Sequence, residues 1–291
     1  MQRLNKAIPF RISKSDKHAL LVQLDRGAFF YDKLHYHPEY QITAIEQGEG
    51  ILYAGNSMTA FSPGDIFLIG PDVPHLLKHP ANYYQQADKR AESVSLFFDQ
   101  QSFGEKFFEL SELSGIHSLL QSFRRVIKLT GDCRAIFQAI QSMPQQEEEG
   151  RIIAFLQILS RIRRADKMPL NKQQYRPVRK SEDEGGRLNE VLNYTFRKYR
   201  EDISLQDIIQ VACLSRSQFS SFFKYHTGKT YIQFLNELRV ENACVLLTSS
   251  TATVEQICYE VGFKNVSNFV RQFKKAKETT PSAYRKLWQL K

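Results

Sequence analysis

Two groups of residues in this chain have the types and spacing for chemistry. The first is His35-Tyr36-His37 together with His75. Two histidines at i and i+2 on a strand face the same side, and a third from a neighbouring strand would complete a facial set on a small ion. The second group is a segment written twice. Ser217-Gln218-Phe219-Ser220-Ser221-Phe222-Phe223-Lys224 returns as Ser267-Asn268-Phe269-Val270-Arg271-Gln272-Phe273-Lys274. Both copies carry Phe at i and i+4 and then a Lys. Each follows a short apolar helical pattern, Leu205, Ile208, Ala212 and Leu214 in one case, Val254, Ile257, Val261 and Phe263 in the other. Such a repeat is one supersecondary unit used twice, and its form is a helix-turn-helix.

The elements that must hold these groups follow from periodicity and punctuation. Ser204 caps a helix running to about Ala212, and Ser215 caps a second running to about Tyr225, ended by Gly228. Thr253 and Asn265 play the same parts in the second unit. On the second helix of each pair the aromatic stripe, Phe219, Phe222 and Phe223 or Phe269 and Phe273, points inward. Arg216, Ser217, Ser220 and Ser221 are left on the outer face of one, and Val266, Ser267, Asn268 and Arg271 on that of the other. Between the units, Tyr231 to Leu247 reads as one amphipathic helix, rigid enough to fix the separation of two reading heads.

Upstream, period-two alternation predicts strands at Ala19–Leu24, Gln41–Glu46, Gly50–Ala54, Asp65–Ile69 and Ser93–Phe98. Turns are expected at Gln47 to Gly50, Gly55 to Ser57 and Ser62 to Asp65. Short strands at this spacing argue for an antiparallel sandwich or barrel. From 101 to 168 the period becomes helical. Phe103, Phe107, Leu110 and Leu113 form one stripe; Ile152, Phe155, Leu156, Leu159 and Ile162 form another, broad enough for both internal packing and a partner helix. Residues 169–186, polar with Pro177 and Gly185-Gly186, read as a linker.

Composition narrows the class. The net charge of +9 is uneven: residues 187–291 hold 16 Lys/Arg against 9 Asp/Glu, and the rest of the chain holds 24 against 22. Positive charge thus accompanies the repeat, as an approach to phosphates requires. The four cysteines form no C-x-x-C pair. Cys213, Cys244 and Cys258 fall in helical apolar patterns and are expected to be buried, which fits a reducing cytoplasm. Met1 to Lys6 lacks the apolar run of a signal peptide, and no stretch of 18 apolar residues predicts a membrane span.

The segment 187–291 resembles the DNA-binding domain of the AraC/XylS family of transcription regulators. Its second half carries Arg239, Ala243, Leu246-Leu247, Ile257, Val261-Gly262-Phe263, Phe269, Phe273-Lys274, Thr280-Pro281 and Tyr284-Arg285. Its first half carries Ser204-Leu205, Leu214-Ser215, Phe219, Phe223-Lys224, Thr227-Gly228 and Thr230. Glu278 departs from the pattern, standing where Gly is usual. The resemblance implies that Ser217, Ser220, Ser221, Val266, Ser267, Asn268 and Arg271, with Arg216 beside them, face the bases of double-stranded DNA. Lys224, Lys274, Lys275 and the helix N-termini at Ser215 and Asn265 would meet phosphates. Arg can make two hydrogen bonds to guanine and Asn two to adenine, whereas Ser reaches less far, so the second helix is expected to read more.

The N-terminal half resembles the cupin barrel through His35-Tyr36-His37, Gln41, Gly48, Gly64-Asp65, Pro71, Pro74 and His75. Gln41 stands where the acidic metal ligand of that family would be, Gly70 where Pro is usual and Asp72 where Gly is usual. No metal or other cofactor is therefore expected. The implied site is a pocket for a small organic effector of the sugar type, lined by His35, His37, Gln41, Tyr53, Phe67 and His75. The expected fold is α+β in two domains: an antiparallel cupin-like barrel with flanking helices at 1–168, the linker, and an all-α domain with two helix-turn-helix units at 187–291. The expected function is a non-enzymatic, effector-responsive regulator of catabolic or transport genes, most plainly an activator, cytoplasmic, homodimeric and engaging RNA polymerase. Two alternatives are weaker. A cupin metalloenzyme with an appended DNA-binding domain needs an acidic ligand that Gln41 does not supply. A repair regulator with a methyl-accepting cysteine needs a cysteine before Cys133.

Overall fold

The computed structural model describes residues 8–9, 18–85, 88–123, 126–170 and 182–289. The chain divides into two compact units: Pro9–Glu49 with Phe61–Pro177, and Gly50–Ala60 with Val178–Lys291 and Met1–Ile8. Residues 171–181 of the expected linker lie outside the described residues. Residues 182–186, also placed in the linker by composition, are helical in the structure.

The strands are β1 (Ile8–Pro9), β2 (Leu20–Gly27), β3 (His35–Tyr36), β4 (Tyr40–Gln47), β5 (Gly50–Ala54), β6 (Ser57–Phe61), β7 (Ile66–Ile69), β8 (His75–Lys78), β9 (Ala91–Phe98), β10 (Ile127–Thr130) and β11 (Asp166–Pro169). Six form one sheet in the order β11-β10-β7-β4-β9-β2, with β4 antiparallel to both β7 and β9. The β3–β8 pair belongs to a second sheet, so the strands form two sheets and not one closed barrel. Register sorts the side chains of the larger sheet. Ile42 faces Leu96 and Leu68, and Ala44 faces Val94 and Ile66. These residues sit on one face and are buried in a core shared with the helices α1 (Ser114–Ser122), α2 (Arg134–Gln141) and α3 (Glu148–Arg164). The opposite face pairs Thr43 with Ser95 and Gln41 with Phe97. Polar residues therefore line the inside of the sheet.

Phe103, Phe107, Leu110 and Leu113 do not lie on a regular helix. Phe103, Phe107 and Leu113 sit in three short 3-10 turns, Gln101–Phe103, Phe107–Glu109 and Ser111–Leu113, with Gly104 at φ 98° after the first and Leu110 between the last two. The Phe103 and Phe107 rings still stack at 5.5 Å, while Leu110 is exposed. The stretch also supplies β10 and β11, which extend the sheet edge through β7. Of the α3 stripe, Phe155, Leu159 and Ile162 are buried with Ile158, whereas Ile152 and Leu156 are half-buried and Ile153 is exposed.

The second unit carries the helices α4 (Glu182–Lys198), α5 (Leu205–Ala212), α6 (Arg216–Thr227), α7 (Tyr231–Ser249), α8 (Val254–Glu260), α9 (Val266–Lys277) and α10 (Pro281–Gln289). Four of them begin with the same device. Ser204, Ser215, Thr230 and Thr253 each accept a hydrogen bond from the backbone N–H three residues on, and the Asp or Gln at that position accepts from the cap's own N–H. Two orphan donors are satisfied per helix start, typically worth about 1 kcal/mol of stability. Buried Phe234, Leu238, Ala243 and Leu247 make α7 the axis of this core.

Candidate DNA-reading face and histidine-lined cavity

Several of the doubled motif's apolar and basic residues act as clamps. Arg239 on α7 donates from Nε to the Tyr199 carbonyl (2.7 Å) and from Nη2 to the Glu201 carbonyl (2.8 Å), fastening α7 to the end of α4. Arg285 does the same for α10, reaching the carbonyls of Ala252 (2.6 Å) and Leu247 (3.3 Å). Phe223 packs edge-on against Tyr231 and Phe234, and Phe273 against Tyr284. Phe222, expected inward, is only half-buried, with its ring 4.5 Å from that of His226. Cys213 was also expected inside. It is instead exposed, in the left-handed conformation at the C-cap of α5 (φ 51°), where the chain turns toward α6. Cys244 and Cys258 are buried and Cys133 is partly so; all four are free thiols.

With the aromatic stripe turned inward, α6 and α9 present their polar faces to solvent. Arg216, Ser217, Ser220, Ser221 and Lys224 are exposed on α6; Ser267, Arg271, Lys274 and Lys275 are exposed on α9, with Val266 and Asn268 half-buried. The two faces differ in what they offer. Ser220 spends its hydroxyl proton on the Arg216 carbonyl at 3.0 Å, and Ser217 lies 3.3 Å from the capping hydroxyl of Ser215. On α9, Arg271 donates from Nη2 to Asn268 Oδ1 at 2.9 Å, and the Asn268 N–H donates to the Asn265 cap at 2.8 Å. Two-point contact to adenine needs both atoms of an Asn amide, and one of them here accepts from Arg271. In this arrangement Asn268 buttresses the guanidinium of the exposed Arg271.

The other constellation is a cavity of about 150 Å³ inside the first unit, lined by His35, Gln41 and His75 and by Gln23, Asp25, Tyr31, Thr43, Ser93, Ser95 and Phe97 among others. A space of that size accommodates a molecule about as large as benzene. His37, expected in the lining, is not part of it; its ring stands 5.1 Å from that of His75 and 5.4 Å from that of Phe97. Two more expected lining residues lie farther away. Tyr53 is buried against Phe234, edge-on at 5.7 Å, in the second unit. Phe67 is buried on β7 beneath the Lys128 ammonium, 5.4 Å from its ring, and does not line the cavity. The sequence reading missed Gln23, Asp25, Ser93 and Ser95. The signal was present in β9, whose alternate positions are Ser93, Ser95 and Phe97 against Val94, Leu96 and Phe98.

Cavity electrostatics follow from burial. Desolvation pulls His35 down to about 4, partly opposed by its bond to the Lys33 carbonyl and assisted by neighbouring His37. His75 and His37 are lowered for the same first reason. The three rings are therefore neutral near pH 7. Burial raises the Asp25 carboxyl, against the hydrogen bond it accepts from Gln23 Nε2 at 2.7 Å. Gln41 links the rings to the sheet: its Oε1 lies 3.1 Å from His37 Nε2, and its Nε2 is 2.7 Å from Thr43 Oγ1, which meets Ser95 Oγ at 2.9 Å.

One compact unit carries paired helix-turn-helix units, the architecture of a DNA-binding protein, and the other carries a strand-built cavity. Residues 25–151 match the family model of the AraC-like ligand binding domain, and residues 208–287 match that of a helix-turn-helix domain. The chain belongs to the AraC/XylS family of transcription regulators. It is 25% identical over 267 residues to the HTH-type transcriptional activator RhaS of Enterobacter sp. (strain 638), a match covering 86% of each chain. It is 33% identical over 101 residues to the HTH-type transcriptional regulator YdeC of Bacillus subtilis (strain 168), covering 35% of this chain and only 35% of that relative's length. Among solved structures, the C-terminal domain of the two-component response regulator yesN from Fusobacterium nucleatum is 29% identical, covering 33% of this chain and 93% of that one with a TM-score of 0.32. Among the described residues, no helix is long and apolar enough to cross a membrane.

Proposed function

We propose that the chain is a sequence-specific, effector-responsive transcription regulator, acting in the cytoplasm as an activator of catabolic or transport genes. The observation that carries this reading is the pair of capped helices α6 and α9, each with a buried aromatic stripe and an exposed polar face. Arg271 and Ser267 read bases under α9, and Ser217, Ser220 and Ser221 under α6. Arg216 stands beside the reading residues of α6, and Lys224, Lys274 and Lys275 hold phosphates. Activation is supported by the printed description of RhaS as an activator. The cavity takes the effector, and occupancy shifts the balance between DNA-binding states without any chemical step. Division into an effector domain (1–168), a linker (169–186) and a DNA-binding domain (187–291), homodimer formation through the helices of 101–168, and contact with RNA polymerase belong to the same proposal. A non-enzymatic role is supported by the relatives, which are described as regulators.

The test is binding of the full chain to DNA upstream of its own and neighbouring genes. We expect preference for at least one such region over random duplex, and affinity that falls steeply as salt rises. Equal affinity for all sequences would remove the assignment.

A further inference from the structure

The hairpin β5–β6 is covalently part of the strand-built half of the chain, following β4 at one end and running into β7 at the other. By its contacts, Gly50–Ala60 belongs instead to the unit that carries the reading helices. Leu52, Tyr53, Ala54 and Met58 are buried, and the Tyr53 ring stands edge-on to that of Phe234 on α7. At the turn, Asn56 reaches the C-cap of α6: a Cβ on Gly228 would lie 3.4 Å from Asn56 Nδ2. At the other end, the Ala60 N–H donates to Glu241 Oε2 on α7 at 3.2 Å. Among the described residues β6 is the edge strand of its sheet, and an edge strand presents such donors outward.

Glu241 is shared. Its side chain is only 5% exposed, and its two oxygens take Lys277 Nζ, from the last turn of α9, at 2.6 and 2.8 Å. One turn earlier on α7, Glu237 pairs with Lys229, the residue after the C-cap of α6. Acids four residues apart on a helix repel each other. Here each is matched by a lysine from the end of a different reading helix, so α7 ties α6 to α9. The hairpin reaches both ties, through Asn56 beside Gly228 and through Ala60 on Glu241. Ser217, Ser220, Arg271 and Lys274 stay exposed with the hairpin seated, so it does not mask the reading faces.

We propose that the β5–β6 hairpin is a strap that holds α6 and α9 at one separation for DNA, and that Glu241 is the positioning residue through which it reaches α9. The assignment rests on the DNA-reading role proposed above for those two helices. Two heads entering successive grooves need a fixed spacing, and a hairpin seated on α7 against the ends of both supplies it. The strap also gives the cavity a covalent route to the reading helices. β4 carries Gln41 and Thr43 of the cavity lining, ends at Gln47, and leads into the hairpin at Gly50. A shift of β4 on occupancy is passed along the chain to the strap, and changes the balance between seated and released states.

The experiment is amide hydrogen exchange of the full chain followed by mass spectrometry, with DNA affinity measured on the same preparation. Ala60→Pro removes the donor that Glu241 accepts, in an edge strand where proline is tolerated, and leaves the Glu241–Lys277 pair in place. We expect exchange to quicken about tenfold at the ends of α6 (224–230) and α9 (272–278), the scale of one lost hydrogen bond to a charged acceptor. Affinity for a preferred upstream duplex should fall by about the same factor, and that for random duplex by less than about twofold, since phosphate contacts are untouched. Should Ala60→Pro fail to fold, Glu241→Gln carries the same expectation at 272–278 and for upstream duplex. Arg134→Ala, in an exposed ion pair of the other unit, should change neither readout. Quickening confined to residues 50–61 would mean that the hairpin only seals a sheet edge, and would overturn the strap. So would an upstream affinity that falls no more than that for random duplex. Wild-type protein with no preference for any upstream region removes the regulator assignment instead, and exchange at the two helix ends still decides whether the hairpin holds them.

Discussion

The two helix-turn-helix units solve one folding problem with different residues. α5–α6 and α8–α9 share caps, aromatic stripe and Lys224 or Lys274, yet each needs the left-handed conformation twice and fills those places in opposite ways. At the turn between helices the first unit has Cys213 at φ 51° and the second has Gly262 at φ 92°. At the end of the reading helix the first has Gly228 at φ 73° and the second Glu278 at φ 57°. The reason is steric at one place. A Cβ on Gly262 would lie 2.6 Å from the Tyr199 carbonyl oxygen and 2.9 Å from that of Arg200, so no side chain fits there. Exposed Cys213 meets no such wall and bears only the strain of its backbone. Glycine is thus compulsory where chains approach closely, and elsewhere it is only the cheapest choice.

The largest expected effect probes what the units share. Phe223 and Phe273 are fully buried at equivalent places, against Tyr231 and Phe234 in one unit and against Phe269 and Tyr284 in the other. Phe223→Ala and Phe273→Ala should each cost about 3–5 kcal/mol. Urea unfolding of the full chain followed by helical ellipticity measures both. If one variant loses less than half as much as the other, the units are not equivalent as packed structures.

Local rules made these units readable. A Ser or Thr with Gln or Asp three residues on announces a helix start without help from the rest of the chain; the starts at Ser204, Ser215 and Thr253 are where the sequence puts them, and Thr230 adds one more. The cavity was less legible because its lining depends on which strands become neighbours. Gln41 and His75 were recoverable from a spaced motif. Gln23 and Ser95 face the cavity only because β2, β9 and β4 pair in one register. Tyr53 and Phe67 alternate as lining residues should, but their neighbours are set by distant segments. Strands of two to four residues, β3, β8 and β10, are too short for any period to show.

The second prediction probes where the units differ. Ser221 of α6 corresponds to Arg271 of α9, a side chain with several donors already aimed by Asn268. A two-point contact to guanine is typically worth about 1–3 kcal/mol of discrimination. Arg271→Ala should therefore lower operator affinity by that order and relax preference at one base position. Asn268→Ala should reproduce part of the loss, because the guanidinium is no longer held. Ser220→Ala should cost much less, since its proton is committed to the helix backbone. Fluorescence anisotropy on a panel of single-base operator variants at fixed salt separates these outcomes. Should Ser220→Ala be the most damaging, or Arg271→Ala weaken every sequence alike, the division of labour between the helices is reversed.

The smallest effect returns to the left-handed positions. Glu278 caps α9 with its N–H bonded to the Lys274 carbonyl at 2.9 Å, in a conformation that costs a residue with a Cβ about 1–2 kcal/mol. It also places an acid at the negative end of the helix dipole, although Lys274, Lys275 and Lys277 in the last turn soften that term. Glu278→Gly removes the strain at the expense of a more flexible unfolded chain, which offsets about 0.5–1 kcal/mol. The net expectation is a gain of about 0.5–1 kcal/mol, seen as a higher urea midpoint with an unchanged slope. Gly228→Ala, the opposite exchange in the other unit, should lose about 1 kcal/mol. Neither should alter base preference, because both residues follow the last turn of their helices, whereas the residues proposed to read bases lie nearer the start. A Glu278→Gly variant no more stable than wild type would mean that the lysine-rich last turn holds Glu278 firmly enough to cancel its backbone cost. The two caps would then be equivalent in energy, although only one is glycine.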